Sequence, residues 1–186
     1  IPCFLQNSFT SCTEMDLALD NRDALAGDIY KNAENYYKSV FEHAGGSISF
    51  YPDKNGAAPT AELYHRETRS ISVQDVKEFC KKHGITENVF FISAFGITLG
   101  KYNFKKDAVF TTIYHGRNDS RLSETVGMLV KTLPVFCDFS GTAKDCLSGV
   151  QKQLIDSMNN DIYPFSQISH EFDIKADRSE ERRVGK

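Results

Sequence analysis

The sequence predicts an α/β fold, a lobe in which helices are layered on a sheet, and three observations carry that expectation. Two runs rich in β-branched and aromatic residues, Asp107–Tyr114 and Met128–Phe136, read as strands. Segments with apolar residues at steps of three and four, several opened by a capping residue, read as helices. The two kinds of element interleave along the chain, which builds layers around one core. There is no internal repeat and no low-complexity segment.

In order, residues 1–20 show no clear period. From Asn21 to Phe41 the spacing of Leu25, Ile29, Ala33, Tyr36, Tyr37 and Val40 predicts one helix with a single apolar stripe. Gly45-Gly46 ends it, and Tyr51–Gly56 with Pro59 forms a turn-rich connector. Ser72 is placed to cap the next helix, with Asp75 as its reciprocal partner. Val73, Val76, Phe79 and Cys80 line one face, and Gly84 stands where a helix C-cap needs positive φ. A further helix starts around Thr86. Its run Val89–Ile97 is apolar nearly all round, so it is expected to be buried on most sides, with Phe90, Phe91 and Phe95 in the core.

The first strand ends at Gly116. In the second, Leu129, Val130, Leu133 and Val135 supply strand character, and Pro134, having no N–H to donate, ends the pairing and belongs at the strand's edge or end. Thr142 with Asp145 opens the next helix, whose face is Cys146, Leu147, Val150, Leu154, Ile155 and Met158.

Composition narrows the function. The chain has 186 residues, 40% apolar and 25% charged, which suits one globular domain with its own core. A formal charge of −3 points to neither a nucleic-acid nor an anionic-membrane partner, and no apolar run is long enough to span a bilayer. Cys3, Cys12, Cys80, Cys137 and Cys146 are odd in number and lack metal-ligand spacing, so they read as free, mostly buried thiols of a reducing cytoplasm, with no metal site. No G-x-S-x-G elbow, phosphate loop or G-x-G-x-x-G is present. The opening Ile1–Leu5 reads as cut out of something longer. Arg178–Lys186 reads as one frame of a short-read sequencing adaptor, without which the formal charge falls to −5.

Three segments then share an order with a known family. Asp107-Ala108-Val109-Phe110 runs to Gly116-Arg117; Val126-Gly127-Met128-Leu129-Val130-Lys131-Thr132-Leu133-Pro134 follows; and Asn160-Asp161-Ile162-Tyr163-Pro164-Phe165 comes third. Together they resemble the second lobe of nonribosomal peptide synthetase condensation domains, of the chloramphenicol-acetyltransferase-like acyltransferase fold. Tyr36-Tyr37-Lys38 resembles that family's inter-lobe helix, where Tyr-Trp-Lys is usual. The resemblance implies an N-terminal segment with inter-lobe helix and connector over 1–60, the C-terminal lobe over 61–177, and the adaptor-like tail over 178–186. The lobe is incomplete as a domain, because the family's His-His-x-x-x-Asp-Gly motif belongs to a first lobe and is absent here.

It further implies a fragment of an enzyme that joins carrier-bound aminoacyl or peptidyl thioesters by an amide bond. No cofactor is bound directly; the 4'-phosphopantetheine arms ride on partner carrier proteins. The other partners are adjacent synthetase domains and the missing first lobe, and the setting is cytoplasmic. Gly116, Arg117, Gly127, Met128, Lys131, Thr132, Pro134, Tyr163, Pro164 and Phe165 are the motif or channel residues. Lys131 stands where the family usually carries Asn, and is suited to hold a carboxylate or carbonyl there, or else marks an altered channel. No residue of this chain is assigned a catalytic role, and the fragment alone is expected to be inactive. His115 reads as a strand-terminal imidazole bonded to backbone, and Arg117 either steers a substrate or a carrier phosphate or pairs with an acid of its own lobe and fixes the loop Asn118–Glu124. Tyr163-Pro164-Phe165 reads as a structural turn with Phe165 in the core. Two alternatives stay open: a non-catalytic module that docks a carrier protein or other partner, and a free-standing acyltransferase of the same fold.

Overall fold

The structure, a computed structural model, describes residues 14–25, 27–42, 44, 48, 68–117, 120–122 and 125–174, with the side chains of 14, 15, 17, 18, 20, 21 and 121 excepted. The elements are α1 (Glu14–Leu25), α2 (Asp28–Phe41), α3 (Val73–His83), α4 (Glu87–Tyr102), β1 (Asp107–Tyr114), β2 (Lys131–Asp138), α5 (Ala143–Asn159) and α6 (Phe165–Phe172), with a short 3-10 turn at Ser120–Leu122. The connector at 51–59, Gly45-Gly46, the 60/61 boundary, Cys3, Cys12 and the tail at 178–186 lie outside the described residues.

β1 and β2 pair antiparallel along their whole length, from Asp107 opposite Asp138 to Tyr114 opposite Lys131. Side chains alternate across a strand, so this ladder feeds two cores. On one face Ala108, Phe110, Val135 and Cys137 pack with Val89, Ile92 and Leu99 of α4 and with Cys146, Val150 and Leu154 of α5. On the other, Val109 and Phe136 meet Ala33, Tyr37 and Phe41 of α2 with Tyr163, Ile168 and Ile174. The result is a helix–sheet–helix sandwich, which explains why both strands read as near-continuous apolar runs.

Local chemistry sets most helix ends. The Ser72 and Thr86 hydroxyls each accept from the N–H three residues on, Asp75 and Val89, at 3.2 Å. At Thr142 both halves of a capping box form, whereas at Ser72 only the forward bond is seen among the described residues. Gly84 closes α3 at φ 65°, where a Cβ is unfavourable.

Six expectations need correction. The single helix over Asn21–Phe41 is two helices, because Gly27 takes an extended conformation, φ −104° and ψ 178°, and restarts the chain at Asp28. This takes Leu25 and Ile29 out of the stripe; both are exposed, and Ala33, Tyr37 and Phe41 form the buried face. β2 begins at Lys131 rather than Met128, since β1 ends opposite Lys131 and offers nothing further to pair with. Met128 and Val126 are 90% and 93% exposed.

Pro134 lies inside β2, buried and opposite Thr111, and the pairing continues past it. Its missing N–H is harmless because that side of β2 faces away from β1: Pro134 O there accepts from Gln153 Nε2 at 3.2 Å, and Phe136 N–H donates to Gln153 Oε1 at 3.0 Å. The side-chain amide of α5 thus covers the edge of β2 as a short strand would.

α4 is buried on one side only: Phe91 and Phe95 are about half exposed, because the sheet and α5 cover one stripe of an all-apolar helix. On α3, likewise, Val73 is exposed and Cys80 is the buried residue. Ile155 of α5 is exposed as well.

Candidate functional site

The motif residues gather around one end of the β1–β2 ladder. Just past β1, Gly116 takes φ 70°, and a Cβ there would sit 1.9 Å from the Leu129 carbonyl oxygen. The segment leading into β2 therefore crosses directly over Gly116, a close approach open only to glycine. His115 accepts the Arg117 backbone N–H on Nδ1 at 2.9 Å, as a strand-terminal imidazole should. The Arg117 guanidinium donates through Nη1 to the Leu122 carbonyl and, at 2.9 Å, to the Thr125 carbonyl. It braces the loop between the strands rather than facing an open channel.

Lys131 opens β2. Its ammonium lies 2.9 Å from Asp161 Oδ1 and donates to the Asp161 carbonyl at 3.0 Å. Both acceptors belong to the turn before α6, so the lysine is engaged within its own chain. With that partner, Lys131 is a charged strut and not a free amine nucleophile.

Behind this pair is a pocket of about 370 Å³, lined by Lys131, Thr132 and Leu133 of β2, the Asp161–Phe165 turn, and Leu25 of α1. Its wall is predominantly apolar. Tyr163 is buried among Tyr30 and Tyr37, with ring centroids 5.1 and 5.9 Å away, and Phe165, partly buried, packs against the same core, as expected of it. The Tyr163 hydroxyl donates to Glu171 Oε2 at 3.1 Å, and burial, then that bond, push it up to about 12.

Tyr36 and Tyr37 fasten α2 to α5. Tyr36 OH donates to the Gln153 carbonyl at 3.0 Å and meets Ser157 Oγ at 3.0 Å, and Tyr37 OH donates to the Ser157 carbonyl at 3.3 Å. Burial pushes the Tyr36 hydroxyl up to about 12 and raises that of Tyr37 further. Lys38 bonds Glu34 at 2.5 Å and lies 3.5 Å from Glu171, so the Tyr-Tyr-Lys run acts as a brace.

Lys131, Thr132, Tyr163, Pro164 and Phe165 thus share one pocket. Gly116 and Arg117 shape the loop beside the ladder's end, Gly127 and Met128 sit on the segment crossing it, and Pro134 lies within the sheet. Asp161, Leu25 and Gln153 were not singled out from sequence as site residues. No spacing signal links Asp161 to Lys131, thirty positions away. Among the described residues no three His, Cys, Asp or Glu side chains gather as a metal site, and no helix is long and apolar enough to cross a membrane.

This architecture is the chloramphenicol-acetyltransferase-like fold, present here in part. The structure superposes on SgcC5 from Streptomyces globisporus with a TM-score of 0.67 at 19% identity, covering 87% of this chain and 37% of that one. It also superposes on the first condensation domain of the calcium-dependent antibiotic synthetase with a TM-score of 0.64 at 15% identity, covering 83% of this chain and 35% of that one.

The family model for the condensation domain matches residues 15–185, and the chain belongs to that family. Its relatives include the nonribosomal peptide synthetase sidC of Arthroderma benhamiae, 30% identical over 72% of this chain, and surfactin synthase subunit 1 of Bacillus subtilis, 28% identical over 83%. The chain spans only 3% and 4% of those two proteins' lengths.

Proposed function

We propose that this chain is the second-lobe portion of a condensation domain, and that it supplies one wall of a channel in which two carrier-tethered thioesters meet. The observation that carries this reading is the apolar pocket behind Lys131 and Asp161, at the ladder end where the family's motif residues converge. In the proposed reaction the amine of one carrier-bound aminoacyl group attacks the thioester carbonyl of another, forming an amide and freeing the pantetheine thiol. The 4'-phosphopantetheine arms arrive as substrate, carried by partner proteins. Holding both reactants end to end supplies most of what the reaction needs, since proximity removes the entropy of encounter.

The wall contributes position and dryness. Lys131 and Asp161 neutralise each other at the pocket mouth, so an apolar or neutral substrate end meets no unpaired charge there. The general base would come from the first lobe, so this chain by itself is proposed to be inactive.

Reconstitution tests the proposal. The chain is combined with the first lobe of its own parent domain and with aminoacyl-loaded donor and acceptor carriers, and the carriers are analysed by mass spectrometry. Amide product that requires both lobes supports it. Carrier binding without product assigns a docking module instead, and transfer from a soluble acyl thioester assigns a free-standing acyltransferase.

A further inference from the structure

We propose that Cys137 and Cys146 form a hydroperoxide-responsive dithiol, in which Cys146 is the site of oxidation and Cys137 closes an intramolecular disulfide onto it. The two thiols lie on different elements, Cys137 in β2 and Cys146 in the opening turns of α5, with their Sγ atoms 3.4 Å apart. Both are free thiols. A disulfide brings sulfurs to about 2.05 Å, so small side-chain rotations join them without moving either element far.

Their surroundings divide the roles. Cys137 is fully enclosed, and a Cβ placed on Gly96 of α4 would come within 2.8 Å of its Sγ. α4 closes that side of Cys137, and its Sγ meets the Cys146 sulfur. Cys146 is 3% exposed but lies in the wall of an open pocket of about 430 Å³ that Asp138, Ser140, Gly141 and Gly149 also line. The glycines matter here, because larger side chains at those wall positions would narrow the route.

The same contact separates the two thiols in acidity. Cys137 bonding to Cys146 lowers the Cys146 thiol, against the opposing effects of burial and the Asp138 carboxylate. That bond, with burial, raises Cys137. Cys146 also sits within the first turns of a helix, where the dipole favours a thiolate. The thiol lowered by this contact thus belongs to the residue in the pocket wall.

The chemistry balances with a hydroperoxide as the oxidant. The Cys146 thiolate attacks the peroxide O–O bond, giving a sulfenic acid and, after protonation, water or an alcohol. The Cys137 thiol then displaces the sulfenic oxygen, which leaves as water, and the S–S bond forms. The thiols lose two electrons and the hydroperoxide gains them. The bridge would pin α5 to β2 beside the capping box of Thr142 and Asp145.

The test exposes the full chain to hydrogen peroxide, quenches it with an alkylating agent, and maps peptides without reductant. A mass lower by two hydrogens, reversed by dithiothreitol, and a peptide joining Cys137 to Cys146 are expected. Cys137→Ala should leave a Cys146 sulfenic acid that dimedone traps, Cys146→Ser should abolish the bridge, and Cys80→Ser should retain it. Oxidation of the unsubstituted chain that lands on Cys3, Cys12 or Cys80, or that pairs other cysteines, overturns the proposal. Because that readout needs no variant, it stands even where a substitution prevents folding. Dimedone capture on Cys137 in Cys146→Ser, faster than on Cys146 in Cys137→Ala, overturns the assignment of roles.

Discussion

Lys131 Nζ sits 2.9 Å from the Asp161 carboxylate and 3.0 Å from the Asp161 carbonyl, so the first residue of β2 is tied to the turn that opens α6. The pair is one-third or less exposed on the acid side and slightly more on the lysine side, which places it between a surface and a buried ion pair.

Lys131→Ala and Asp161→Ala should each destabilise the lobe by roughly 1 kcal/mol, and the double variant by less than their sum. Urea unfolding of the four species in a double-mutant cycle measures the coupling. Full additivity would remove the pair from the account of the pocket.

Gly116→Ala should be far more damaging. It forces a Cβ at φ 70° to within 1.9 Å of the Leu129 carbonyl oxygen, so the crossing segment must move. A loss of about 2 kcal/mol or more is expected in thermal or urea unfolding. A neutral outcome would mean that the segment before β2 does not cross there.

Gln153→Leu keeps the bulk of the side chain and removes both bonds to the outer edge of β2. Leaving the Phe136 N–H without its partner should cost about 1–3 kcal/mol. Hydrogen exchange at that amide should accelerate more than at Val135, whose N–H faces β1. Equal acceleration at both would indicate global loosening instead.

Asp145 makes stability depend on acid. Bonds from the Thr142 hydroxyl and N–H hold its carboxyl below the ordinary carboxylate range. A lowered folded value means the contribution is fully present above the unfolded pKa, about 3.9, and is lost as pH falls through the folded value. Asp145→Asn should therefore flatten the acid limb of a stability–pH profile. Thr142→Ala should flatten it too and, separately, cost about 1 kcal/mol at neutral pH through loss of the cap. An unchanged acid limb in both variants would refute the linkage.

The chain without the rest of its domain should be prone to aggregate. Val126 and Met128 are almost wholly exposed, as are Phe104 at 99% and, in part, Ile113, Phe91 and Phe95. Apolar surface of this extent marks a contact face or a liability. Light scattering with calorimetry checks it; a soluble monomer with one cooperative transition would show the lobe to be self-sufficient.

Local interactions were legible in the sequence because neighbouring residues make them. β1 was bounded correctly from its β-branched run. The caps at Ser72 and Thr142, the helix start near Thr86 and the left-handed Gly84 followed from residue type and spacing. The family, too, could be read from three short motifs in their order. What sequence alone could not supply was every outcome decided by a partner distant in the chain. β2 starts at Lys131 because β1 ends opposite it. Pro134 is tolerated because Gln153 covers that edge, and Tyr163 is buried because α2 brings Tyr30 and Tyr37 to it. The Lys131–Asp161 pair and the Cys137–Cys146 contact likewise exist only once β2, α5 and the turn before α6 are packed together. Periodicity specifies which face of an element is apolar; tertiary packing decides which residues of that face meet a partner and which stay in water.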